Sequence, residues 1–141
     1  LGLDLNQNTR PCRNPLPAND IGAALTKRDH QTTGSTIMAK MLVIYKTPAD
    51  PAAFDRHYFE IHVPLAKTLP GLQRYEISRR PIVNVLQSEV PYIVATLYFD
   101  SLEAIRAAFA GEIGKACAAD RRKFAGDDDL QAMLLFDTEA L

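Results

Sequence analysis

The chain has 141 residues, of which 47% are hydrophobic and 23% charged, with 16 basic against 17 acidic side chains and a net charge of −1. These proportions predict one domain with a sizeable core and exclude the basic footprint of a general nucleic-acid binder. No apolar run approaches the roughly 18 residues of a membrane-spanning helix, and two cysteines, Cys12 and Cys117, can build neither a disulfide framework nor a four-cysteine zinc site, so a cytoplasmic location is expected.

Residues 1–37 read as a polar N-terminal arm or an upstream extension. Pro11, Pro15, Pro17, Gly22 and Gly34 punctuate them, and no apolar period of 2 or 3.6 persists. On this reading Met38 or Met41 is the initiator, His30 is in solvent, and the basic start and apolar stretch of a signal peptide are missing. The pattern becomes regular over 38–141. Lys40–Lys46 predicts a first strand. Asp50 is placed to cap a helix, with Pro51 at its first position, where a missing N–H costs nothing. Phe54, Tyr58, Ile61 and Leu65 predict that helix's apolar stripe, and Pro64 predicts a break or kink near Val63.

After the Leu69-Pro70-Gly71 turn, Leu72–Arg79 predicts a second strand, Arg80–Glu89 a loop, and the β-branched and aromatic Tyr92–Phe99 a third strand. Asp100 or Ser101 caps a second helix with Glu103 in its first turn and a Leu102–Ile105–Phe109 stripe. Gly111 and Gly114 predict an interruption, then a further helix to about Phe124. Gly126-Asp127-Asp128-Asp129 is a turn before a last strand at Gln131–Thr138. The order β-α-β-β-α-β predicts an α+β, ferredoxin-like fold with a four-stranded antiparallel sheet.

Both faces of that sheet are apolar. In the third strand Ile93, Ala95, Leu97 and Phe99 form one face, which we assign to the helices, and Tyr92, Val94, Thr96 and Tyr98 form the other. Helices can cover only one face, so a homodimer is expected to cover the other. The tyrosine-containing face suits either a small-molecule cavity or a dimer interface with Tyr45, Tyr92 and Tyr98 at its rim.

Few residues can do chemistry. His57 and His62 fall on opposite flanks of the first helix's stripe, and five apart they are poorly placed to share a metal, so no metal site is expected. His62, at the expected helix end, could cap carbonyls or act as a general acid or base, its imidazolium favoured by the helix terminus. Glu76 and Asp120 read as lone carboxylates, solvated or paired with a nearby cation. Arg121-Arg122-Lys123 reads as charged surface, and Cys117 as a buried inert thiol.

Met41–Tyr45, Phe54–Tyr58, His62-Val63-Pro64-Leu65-Ala66-Lys67, Pro70-Gly71-Leu72 with Tyr75, and Ala119-Asp120 with Phe124 together resemble the EthD family, named after a protein associated with ethyl tert-butyl ether degradation. The resemblance covers about Lys40 to Thr138 and implies a dimeric α+β barrel with a pocket in each subunit. It implies His62 as proton carrier and Tyr75 as the group that orients substrate or stabilises an oxyanion. Tyr45, His57, Thr96 and Tyr98 are the expected substrate-binding residues, and no cofactor is expected. Methylisomerase-like members of this fold also use a third-strand cysteine, which Tyr92–Phe99 lacks. Two functions stay open: a cofactor-free isomerase, cyclase or lyase acting on a small hydrophobic, aromatic or polyketide-like molecule, and a non-catalytic binding or accessory protein for a catabolic oxygenase system.

Overall fold

A computed structural model describes residues 38–86 and 88–141; the polar arm over 1–37 and His30 lie outside the described residues. Strand β1 (Met38–Tyr45) runs through the middle of the sheet, between β3 (Ile93–Phe99) and β4 (Leu130–Thr138). The short β2 (Arg74–Ile77) pairs with β3, which gives an antiparallel sheet of order β2-β3-β1-β4. Strand β2 is shorter than Leu72–Arg79, but Gln73 N–H and Ser78 N–H still donate to Tyr98 and Val94 carbonyls on either side of it. The ferredoxin-like α+β fold is therefore the one the element order predicts.

Register decides which side chains share a face. Met41 lies opposite Leu97, Val43 opposite Ala95 and Tyr45 opposite Ile93, and all six are buried on the helix side. The far face carries Lys40 with Tyr98, Leu42 with Thr96, and Ile44 with Val94; β4 adds Phe136, Leu134 and Ala132. Strand β4 stays open on both faces. Met133 and Leu135 on the helix side, and Leu134 and Phe136 on the far side, are all more than a third exposed.

Helix α1 (Pro51–His57) begins as its sequence dictates, with Asp50 Oδ1 accepting the Ala53 N–H at 3.1 Å and Pro51 in the first turn. Pro64 does not break the chain that follows. The helix instead widens into a π-turn (Tyr58–His62) and continues as α2 (Val63–Ala66), with right-handed helical backbone throughout. Proline lacks an N–H, and its ring crowds the carbonyl four residues back. A turn one residue wider, in which Val63 N–H reaches the Tyr58 carbonyl, accommodates both effects while the helical run continues. The buried stripe consequently becomes Phe54, Tyr58, His62 and Ala66, while Ile61 is 51% exposed.

Ser101 Oγ accepts the Ala104 N–H at 3.0 Å and caps α3 (Leu102–Ala110), and α4 (Glu112–Phe124) follows after Gly111. A Cβ on Gly114 would lie 2.3 Å from Phe109 Cα, so only glycine lets α4 seat against the end of α3. That seating aims the Cys117, Asp120 and Arg121 side of α4 at the sheet and the π-turn.

Candidate active site

Between the helix-side face of the sheet and the helices is a cavity of about 240 Å³. Met41, Val43 and Leu97 line it from the sheet, and Ala66, Leu69 and Phe109 from the helical layer and its connections. Its polar lining is Tyr45, His62, Tyr75, Cys117, Arg121 and Arg122. The cavity is thus on the opposite face from the one expected from Tyr92, Val94, Thr96 and Tyr98. An apolar enclosure with a few convergent polar groups is the usual form of a small-molecule site.

Behind the cavity wall, one carboxylate joins two histidines. His57 Nε2 lies 2.8 Å from Asp120 Oδ1, and His62 Nδ1 lies 3.0 Å from Asp120 Oδ2. On a regular α-helix, residues five apart diverge by about 140°. The π-turn removes most of that divergence and brings both rings to the side facing α4, where Phe124 packs edge-on to His62 with ring centroids 4.8 Å apart. His62 is therefore at the centre of the buried stripe and inside the helical run, not on its flank or at its end. Asp120 is neither solvated nor paired with Arg or Lys. Arg121, expected on the surface, is buried, donating from Nη1 to the Ala125 carbonyl at 3.0 Å and from Nη2 to Asp127 at 2.7 Å.

The network assigns protons. An ionised carboxylate only accepts, so His62 presents Nδ1–H to Asp120 and keeps a lone pair on Nε2. Burial lowers the His62 pKa, against the opposing pull of the Asp120 hydrogen bond, so at neutral pH the ring is an uncharged base. Burial also raises Asp120, but the hydrogen bonds and charges of His57 and His62 together outweigh it and hold the carboxyl below its usual range. Burial pushes Tyr45, Tyr58 and Tyr75 above the ordinary phenol value, so their hydroxyls remain donors. The Tyr58 and Tyr75 hydroxyls share a 2.9 Å hydrogen bond. The Tyr45 and His62 side chains both line the cavity.

The cavity thus collects His62, Tyr75 and Tyr45. His57 does not line it: the ring, 24% exposed, borders a separate cleft with Lys46, Phe54 and Lys123, and reaches the site only through Asp120. Thr96 and Tyr98 are on the far face of the sheet. Tyr98 Oη donates to Glu76 at 2.7 Å, and the Arg74 guanidinium sits 4.0 Å from its ring centroid. Among the described residues, no group of three His, Cys, Asp or Glu side chains is arranged to hold a metal, and no helix is long and apolar enough to cross a membrane.

A pH dependence of stability follows from His62. Its folded pKa lies below the 6.5 of a free imidazole, so between the two values the unfolded chain binds more protons and stability rises with pH. The contribution of the neutral ring is complete above about 6.5 and is lost as pH falls through the folded pKa. Denaturation midpoints measured from pH 7.5 to 5 are expected to fall for the wild type and to fall less for His62→Gln; equal slopes for both would contradict a buried neutral His62. The depressed Asp120 acts in a separate window, below about 3.8.

The EthD domain family matches residues 46–128. An uncharacterized 11.0 kDa protein in the thcB–thcC intergenic region of Rhodococcus erythropolis is 37% identical over 106 residues, covering 74% of this chain and 98% of that protein. A crystal structure of an ethyl tert-butyl ether degradation (EthD) family protein from Bacillus halodurans is 32% identical with a TM-score of 0.60, covering 74% of this chain and 99% of that one. A dimeric ferredoxin-like protein from Thermobifida fusca shares the fold alone, at 9% identity and a TM-score of 0.51 over 75% of this chain and 93% of that one.

Proposed function

This chain belongs to the EthD family, and from that premise we propose that it is a homodimer whose subunits each bind a small, mostly apolar molecule and move a proton on it through His62. The observation that carries this reading is the Asp120–His62 hydrogen bond, which fixes the tautomer that leaves Nε2 free on a ring lining the cavity. Asp120 orients the ring and stabilises the imidazolium that forms when Nε2 takes a proton. Tyr45 Oη–H is the donor for the oxygen on which negative charge develops, with Tyr75 beside it, held by Tyr58. A dry cavity of about 150 Å³ accepts benzene, so about 240 Å³ suits an enolisable compound built on one substituted ring. Support for the dimer comes from the exposed apolar side chains of β4 and from the dimeric Thermobifida fusca protein of the same fold.

Deuterium exchange tests proton transfer without knowledge of the natural substrate. A small enolisable ring ketone such as 4-methylcyclohexanone, incubated with the protein in D2O, should lose its α-proton NMR signals faster than in buffer. His62 Nε2 takes the α-proton, the C–H electron pair moves into the enolate, and a deuteron returns. His62→Gln should reduce the catalysed rate by about 10²- to 10³-fold. Binding of ring ketones without accelerated exchange would overturn the catalytic reading in favour of a binding protein.

A further inference from the structure

Charge is distributed unevenly around this cavity. Arg121 and Arg122 both reach its wall, while among the described residues no aspartate or glutamate lines it. The carboxylate behind its wall, Asp120, has one oxygen on His57 and the other on His62. The remaining polar groups of the lining are neutral phenols, a neutral thiol and an uncharged imidazole. Arg121 is 8% exposed, but its acidic partner among the described residues, Asp127, has a side chain 80% exposed, so water screens much of that pairing. The guanidinium has five N–H donors, and beyond the bonds to Ala125 and Asp127 the others have no partner among the described residues. Its field reaches into the site, where it favours the deprotonated states of Tyr45 and His62. A buried cation with spare donors beside an apolar chamber is stabilised by a ligand that supplies the missing negative charge.

We infer that the cavity selects a ring-sized apolar molecule bearing one anionic oxygen (a carboxylate, phenolate or enolate), with Arg121 as the charge partner and the Tyr45 hydroxyl as a second donor. The inference rests on the proposed ligand-binding role of this cavity and adds the charge class of the ligand. Arg122, at the exposed end of the lining, guides the anion in and contributes less than Arg121.

Benzoate and benzamide have nearly the same shape and differ in charge, so a chemical-shift titration of the full chain with each isolates the effect. Benzoate is expected to bind at least about tenfold more tightly. Arg121→Met should remove that preference while benzamide binding persists, and Arg121→Lys should retain part of it. A measurement on the wild type covers the case in which Arg121→Met does not fold. Bound 4-nitrophenol should show its phenolate absorbance at a pH where the free compound is mostly the phenol, its pKa lowered by about one unit for a tenfold preference. Benzamide binding as tight as benzoate, or nitrophenol bound as the neutral phenol, overturns the inference and leaves the proposed cavity standing. Failure of every one of these probes to bind overturns the cavity's role in ligand binding, and the inference with it.

Discussion

Replacing Asp120 with asparagine should cut catalysed exchange about a hundredfold or more in a protein that still folds. The amide has one accepting oxygen where the carboxylate had two, and it adds an NH₂ donor. If the NH₂ faces His62, the ring must offer it a lone pair from Nδ1. The proton then sits on Nε2, and the base becomes a donor toward the cavity. If the oxygen faces His62, the tautomer survives, but the negative charge that stabilises the imidazolium is gone, and His57 must change tautomer instead. The rate falls in either orientation. Stability should fall by about 1–3 kcal/mol, the range for a disturbed buried hydrogen bond to a charged group. Nitrogen-15 spectra of the histidine rings would report the tautomer directly. An Asp120→Asn protein that is stable, keeps Nδ1–H on His62 and exchanges the ketone at the wild-type rate would remove Asp120 from the mechanism.

The fold was legible in the sequence because each strand and helix announces itself locally. Asp50-Pro51 and Ser101 cap helices as their residue types require, and the alternation in Tyr92–Phe99 sorts its two faces correctly. The site was less legible, for two physical reasons. Asp120 meets His57 and His62 across separations of 63 and 58 residues, and no local pattern encodes that meeting. The second reason is the helical period. A constant 3.6 residues per turn puts Ile61 in the core and separates the two histidines, whereas the π-turn puts His62 there and unites them. Pro64 was the available signal, since a proline can be met by a wider turn as well as by a break. The choice of face failed similarly. Tyr45 alternates with Met41 and Val43, and only the register shows that this set shares a face with Ile93 and Leu97. Thr96 and Tyr98 belong instead with Glu76 and Arg74, whose charges on alternate positions of the second strand mark the far side.

A carboxylate at the centre of the far face should separate the proposed dimer. Leu134 lies opposite Leu42 in the β1–β4 ladder and is 48% exposed in one subunit, with Phe136 next along the same face at 37%. Less folding energy is at risk at Leu134 than at a core position, because about half of its side chain is already exposed within the subunit. If two such faces pack together, Leu134→Asp buries a charge with no partner, a cost large enough to shift a micromolar dimer to monomers. Light scattering during gel filtration should then give the 15.6 kDa of one chain for Leu134→Asp and about twice that for the wild type. Leu135→Asp is the control. It carries the same charge on the neighbouring residue, is similarly exposed at 45%, and points to the helix side, so it should remain dimeric. The described cavity lining is supplied by a single chain, so monomeric Leu134→Asp should still accelerate ketone exchange. A wild type with the mass of one chain at micromolar concentration, or a Leu134→Asp dimer as stable as the Leu135→Asp one, would place the interface elsewhere or remove it.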